Sequence, residues 1–352
     1  MKNSIKKFLL LTLMATLPLI ILVALYSYLD PFHVVHPITK NAAGCDSVIS
    51  GNNAGFRAVE TYFTHNKDLH FDSFIFGSSM SQNYKASYWK PYIDENASIL
   101  HFDASGETLE GIINKMNFLN NHGSTIKNAL IIIEVEMLGR PTHDNDIRYA
   151  QHPATTGFFD WFHFHTLYFN AFRNMKQAKK AFANIPLEDE VIDPIEAAFR
   201  IDNINEVFYP IIDSLIVHDP DKFFTPKRMA KRKHAHLPAP NDPFIDEKVE
   251  KQLRTIKSIL DKNKSTYIIL VPPCNIKPKL KWEDEWLMKS IFGEDKVHNF
   301  SDAKEYVGNE YFYYDEPSHL ISAKCKMLLD SAYKEQATKR LKNPYYKSAP
   351  RH

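Results

Sequence analysis

The apolar run over residues 8–29, FLLLTLMATLPLIILVALYSYL, restricts the fold of this chain more than any other feature, because it holds no charged side chain. At about 1.5 Å rise per residue, a helix of that length crosses the roughly 30 Å hydrocarbon core of a bilayer. Lys2, Lys6 and Lys7 precede the run, and Lys40 is the first Lys or Arg after it. The positive-inside rule then keeps the N-terminus in the cytoplasm and sends everything after about Asp30 to the far side. Tyr26 and Tyr28 suit the far interface, and Pro18 allows a modest kink in mid-span. A cleaved signal peptide has a shorter apolar region, about 7–15 residues, and ends in small residues. Here the run ends in YSYLDPFH, so it reads as an uncleaved anchor. No later segment is long and apolar enough to span again, which predicts a single-pass protein in the cell membrane.

The remaining composition narrows the function classes. Lys+Arg 43 against Asp+Glu 42 in 352 residues gives a net charge of +1, whereas nucleic-acid binding domains carry a basic excess; no nucleic-acid partner is expected. Gly 11 against Phe 24 and Tyr 17 speaks for a well-filled interior and against a glycine-rich nucleotide cradle. Cys45, Cys274 and Cys325 are too few for a disulfide scaffold. One pair with a thiol left over, or three buried thiols, both fit the sequence.

Short apolar runs at residues 71–76, 98–102, 129–135 and 266–271, with a weaker one at 296–300, predict strands. Runs such as LIIIEV and YIILV do not alternate, so both faces of the sheet are covered and its strands run parallel. Helical spacing falls between them. Leu109, Ile112, Ile113, Met116 and Leu119 form one stripe that should stop at Gly123. Val249, Leu253, Ile256, Ile259 and Leu260 form another, and a last helix is expected over 321–341. Strand–helix alternation of this kind predicts an α/β layered domain. Residues 141–243 interrupt the rhythm with FFDWFHFHTLYFNAF and the basic stretch KRMAKRKHAHLPAP. They read as a helical insertion or lid between a first part of the domain, 31–140, and a second part, 244–342, followed by a tail, 343–352.

Three segments carry the chemistry. In FIFGSSMSQNY, residues 74–84, a buried strand runs into Gly77-Ser78-Ser79-Met80. Ligands of open α/β sheets bind at the carboxyl ends of strands, where a serine can stand beside the N-terminal amides of a following helix. The same serines also suit helix capping. In HFDASGETLEG a second predicted strand ends at Ser105-Gly106, where a glycine amide can face an oxyanion. In YFYYDEPSHLISAKC, Asp315 and Glu316 precede His319; a carboxylate bonded to one imidazole nitrogen leaves the other as a base towards serine.

The order of these segments resembles the SGNH (GDSL-like) hydrolase superfamily. Ser79 matches the nucleophile of its first block, with Gly77-Ser78-Ser79-Met80 in place of Gly-Asp-Ser-Leu; Gly106 matches the glycine of its second, and His319 the histidine of its last. The single anchor, Asp30-Pro31, the Gly-Ser-Ser turn and the late Ser-His turn are similar to a bacterial envelope subgroup, the anchored proteins of teichoic-acid D-alanylation and exopolysaccharide O-acetylation. The likeness covers roughly residues 30–140 and 245–340. It implies a flavodoxin-like three-layer parallel sheet, with Ser79 as nucleophile, His319 as general base and Glu316 orienting it. Asp315 is the alternative orienter, since Glu316 keeps the family's spacing but Asp315 keeps its residue type. The amides of Ser79 and Gly106 would form the oxyanion hole.

The implied activity is that of an extracytoplasmic serine esterase or O-acyltransferase, working on an acylated envelope glycan or lipid-linked sugar without metal or organic cofactor. A membrane acyl-donor protein would be its partner. The family's third block ends in Gly-x-Asn-Asp, whose asparagine donates to the oxyanion. The matching strand end here reads IIIEVEMLGR, and Glu134 or Glu136, when ionised, only accepts hydrogen bonds. That departure favours the alternative of an inactive scaffold or glycan-binding protein in an envelope assembly complex. Of the remaining candidates, His163 and His165 lack further ligands at metal-site spacing, and a lid helix accounts for them. The basic residues Lys227, Arg228, Lys231, Arg232 and Lys233 suit either anionic head groups or a solvated loop.

Overall fold

The structure, a computed structural model, describes residues 2–42, 45–49, 53–139, 146–182, 200–203, 206–208, 210–230, 243–274, 278–307, 309–314 and 319–342. The N-terminal run forms one helix, α1 (Lys2–Leu29). Its stretch Ser4–Leu29 holds an 18-residue window of mean hydropathy 2.7, long and apolar enough to cross a membrane, and that window is unburied. A helix stretch that is hydrophobic all round and unburied is stable only where its surroundings are apolar.

Beyond it lies an α/β domain on a five-stranded parallel sheet. Its strands are β1 (Ser73–Phe76), β2 (Ile99–His101), β3 (Asn128–Ile132), β4 (Thr266–Val271) and β5 (Val297–Asn299), hydrogen-bonded in the order β2-β1-β3-β4-β5. Along β1 the side chains alternate between two cores. Phe74 and Phe76 join one with Ile131 and Ile269, whereas Ile75 joins the other with Leu130, Ile132, Ile268 and Leu270. The first core is closed by α2 (Ala54–Leu69), α3 (Leu109–Asn121), α5 (Glu247–Asn263) and α6 (Trp282–Phe292). The second is closed by α7 (Ser322–Lys342) and the short helix Ala86–Trp89. With both faces covered, the strands carry no polar face, so the sequence shows apolar runs without alternation.

The expected strands and helices of the sheet domain are present, with shifted ends. The run at 129–135 leaves the sheet at Ile132, because Ile133 still donates to Leu270 O but Glu134 already accepts from Met137 N and opens the helix Val135–Gly139. α3 stops where expected: Gly123 takes a left-handed φ of 78°, open to glycine without strain. α2 has no counterpart in the sequence reading. Asn53 caps it, and the amide of Asn53 donates to Ile147 O, Ala150 O and Tyr168 Oη.

Within the expected insertion, the described residues are mainly helical, including α4 (Phe158–Arg173), numbered here between α3 and α5. A small antiparallel ribbon, Arg200–Asn203 with Glu206–Phe208, stands apart from the main sheet. Cys274 and Cys325 are buried and form no disulfide.

Phe76 is wholly buried at the end of β1, directly before the serine turn. Phe76→Ala is expected to cost about 3–5 kcal/mol, read as a lowered urea midpoint for the full chain in detergent micelles. A loss under about 1 kcal/mol would show that this end of the sheet is loosely packed.

Candidate active site

β1 delivers its chain into a gap at the sheet's switch point, where β2 and β3 lie on opposite sides of it. Gly77 makes the exit possible. Its φ is +156°, and a Cβ there would lie 2.7 Å from Ser81 Cβ and 3.0 Å from both Cβ and O of Ile132. No other residue fits so close to the β3 backbone.

The three serines that follow have different tasks. Ser78 caps: its Oγ accepts from Met80 N at 3.2 Å. Ser81, fully buried, donates its hydroxyl to Ser78 O at 2.6 Å. Ser79 is half-exposed, and its Oγ lies 2.9 Å from Nε2 of His319. The helix expected after this turn is only the 3₁₀ turn Ser79–Ser81, followed by the short Ala86–Trp89. The Ser78 and Ser81 side chains bond the local backbone and compete with continued helix. Any oxyanion stabilisation therefore falls to individual amides.

His319 arrives from the far end of the chain on a narrow loop. Tyr314 N donates to His319 O at 2.9 Å, Tyr313 and Leu320 form a bridge, and Ile321 N donates to Phe312 O. Asn83, buried four residues beyond Ser79, donates its side-chain amide to Leu320 O at 2.9 Å. One hydrogen bond thus ties the serine turn to the residue beside the histidine. Arg228 of the insertion stacks on Phe223, 4.1 Å from the ring centre, and donates to Tyr314 O at 3.4 Å. Tyr314, Ile321, Phe223 and Phe224 form a small core that supports the loop from outside. Asp315 and Glu316, expected to orient His319, lie outside the described residues, as do Lys231, Arg232 and Lys233.

Gly106 sits in the loop after β2 at a left-handed φ of +60°. That loop runs beside the serine turn, since Phe102 N donates to Ile75 O and Ala104 N to Gly77 O. Among the described residues, neither the Ser79 nor the Gly106 amide donates to another backbone carbonyl.

A buried polar network, which the sequence reading missed, fixes the loop. Lys115 of α3 donates its ammonium to Phe102 O, to Asp103 O at 2.7 Å and to Glu107 Oε2 at 2.6 Å. Its side chain is 6% exposed and that of Glu107 1%. Asp103 accepts from Gln82 Nε2 at 3.0 Å and lies 3.2 Å from His101 Nδ1, while His101 Nε2 meets Ser81 O at 3.0 Å. His101 and Asp103 share a strand face by their two-residue spacing. That spacing, with Lys115 inside an apolar helix stripe, was the available signal.

Glu134 is buried just after β3, where the resemblance would place an asparagine. Neither nearby amide side chain takes that place, because Gln82 holds Asp103 and Asn83 holds Leu320. His163 is exposed and His165 meets the Tyr26 hydroxyl, so the pair does not converge on a metal. Among the described residues no group of three or more His, Cys, Asp or Glu side chains does.

The fold and geometry define an α/β protein with one apolar N-terminal helix and a serine–histidine pair at the switch point of its sheet. No model of a known protein family matches the chain, nor does any curated protein. The family likeness therefore rests on the three motifs.

Burial alone would raise the Asp103 carboxyl. The hydrogen bond and charge of His101, with Lys115 and Gln82, outweigh it and bring the group from its ordinary 3.8 down to about 2. A carboxyl depressed by folding contributes stability that is complete above its ordinary value and fades as the pH falls through its folded value. The stability gap between wild type and Asp103→Asn is expected to be full above about pH 5 and to narrow between about pH 4 and pH 2. A gap constant over that range, in urea titrations at each pH, would mean that the charge of Asp103 is not what holds the loop. Gly77→Ala is expected to cost at least about 1–3 kcal/mol and to part the Ser79–His319 contact.

Proposed function

We propose that this chain is a membrane-anchored serine esterase or O-acyltransferase of the SGNH type, its α/β domain outside the cytoplasm and its substrate an acylated envelope glycan or lipid-linked sugar. The observation that carries the reading is the 2.9 Å approach of Ser79 Oγ to His319 Nε2 across 240 positions of sequence, within the reach that proton transfer requires. The sheet order supports it too. The order 2-1-3-4-5 is that of flavodoxin-like sheets, which bind ligands between strands 1 and 3.

In this mechanism Ser79 Oγ attacks the acyl carbonyl carbon while its proton passes to His319 Nε2. The carbonyl oxygen becomes an oxyanion that accepts from the Ser79 and Gly106 amides. His319 then returns the proton to the departing alkoxide oxygen, which leaves as an alcohol and Ser79 as an acyl ester. Water or a sugar hydroxyl attacks the carbonyl carbon of that ester, giving its proton to His319, which passes it to Ser79 Oγ as the acyl–Oγ bond breaks. Glu316, or Asp315 in its place, orients the ring through the other nitrogen. With Glu134 at the third donor's position, turnover should be slower by about a hundredfold than with three donors.

A fluorophosphonate probe is expected to label Ser79, and p-nitrophenyl acetate turnover should be lost in Ser79→Ala. His319→Gln is expected to lower turnover by about 10²–10⁴-fold. Full turnover in a folded Ser79→Ala protein would refute the mechanism. Glu134 favours one second reading, an inactive scaffold of the same fold, and absence of labelling in a folded wild-type protein would select it.

A further inference from the structure

A second site, which shares no lining residue with the serine turn, lies where α1 leaves the apolar stretch and meets α4. We propose that the cavity between these helices binds the acyl chain of a membrane phospholipid. This rests on α1 spanning the bilayer but not on any chemistry at Ser79.

The cavity measures about 690 Å³, inside the range of about 300–1,000 Å³ common for small-ligand sites. One wall is the end of α1, with Val23 and Tyr26; the facing wall is α4, with Phe162 and Phe169; Val35 closes it from the connecting segment. Among its polar groups, His152 Nε2 lies 2.8 Å from Glu60 Oε1, the Tyr26 hydroxyl lies 3.2 Å from His165 Nδ1, and the Thr166 hydroxyl donates to Phe162 O. A sugar or charged ligand needs polar groups to replace its water, and these are already engaged. An apolar chain makes no such demand. Burial also holds His165 below its ordinary range, as expected for a ring in dry surroundings.

Position supplies the ligand. Ser27, which lines the cavity, stands about 30 Å along α1 from Lys7 at 1.5 Å per residue. With Lys7 at one interface, the cavity lies at the other, at the boundary between acyl chains and head groups. Beside it the first turns of α4 expose Phe158 at 73%, Phe159 at 84%, Trp161 at 45% and Phe162 at 53%. Contiguous exposed aromatics mark a surface with a partner, and aromatic side chains gather at membrane interfaces. The unburied face of α1 and these aromatics therefore adjoin the cavity, since Val23, Trp161 and Phe162 line it.

The test uses the full chain in phosphatidylcholine vesicles doped with a phosphatidylcholine that carries a diazirine in its acyl chain. After irradiation, cross-linked residues are mapped by mass spectrometry. Labels are expected along α1 and also on Val35 and Phe169. Ala154→Trp, which crowds the cavity from a lining position, should cut the Val35 and Phe169 labels several-fold and leave those on α1 unchanged. Labels on α1 without labels in the cavity would overturn the proposal and keep the anchor, as would cavity labels indifferent to Ala154→Trp. No label on α1 would overturn the anchor and the proposal together.

Discussion

The contact between Gly77 and the backbone of Ile132 governs the site. β1 is paired on both edges and buried on both faces, so its chain cannot drift out of the sheet. It has to leave in a single step at its carboxyl end, 3.0 Å from the neighbouring carbonyl for any added Cβ. Only glycine allows that step, and it determines where the following residues point. Ser78 and Ser81 are then used up by the turn itself. Ser79 is left half-exposed at the mouth of the switch point, where ligands of such sheets gather.

A turn of this kind needs something to hold it against the rest of the site, and the protein uses buried polar groups. The pair Lys115–Glu107 is not a strong source of stability, since desolvation offsets most of what a buried ion pair gains. Its value is geometric. An ammonium has three N–H bonds, and here all three have acceptors, two of them carbonyls of the loop that carries Gly106. Gln82 and His101 then join that loop to the serine turn, and Asn83 joins the turn to the histidine loop. In a low dielectric such bonds are strong when complete and expensive when broken. The three segments named in the sequence are therefore held in one frame by residues that accompany the candidate site residues within those segments, together with Lys115 of α3.

This explains which parts were legible in the sequence. A strand buried on both faces leaves an unmistakable apolar run, so β1, β3 and β4 could be read directly, and the stripes of α3 and α5 were clear because their outer faces are polar. α2 was not read, because Phe63 and Leu69 on its exposed side blur its stripe. α4 is aromatic almost all round, which hides its orientation until its neighbour α1 is in view. The serine and the histidine were legible as residue types at strand and helix boundaries; their 2.9 Å contact was not. Nor was the polar frame, since Asn83 and Gln82 look like ordinary turn residues and a lone lysine in an apolar stripe looks like an error of register. Its meaning depends on a carboxylate eight positions away folding back over it.

The same logic extends to the membrane end. An anchor on a flexible linker would let the domain sample any height, but here the join is built rigidly. The buried Asp30 carboxylate accepts from the amides of Val34, Val35 and His36, a tight turn directly after α1. Tyr26 of α1 packs on Phe169 and Phe172 of α4, while Phe56 of α2 stacks on Phe164. Asn53, with all its polar atoms bonded, locks the start of α2 to the same cluster. From α2 the chain runs straight into β1 and Ser79. A continuous packed path therefore connects α1 to the serine. Under the proposed function, with α1 in a bilayer, that path would set the serine's distance from the lipid surface and favour acylated substrates presented at that distance, without any contact to the substrate itself.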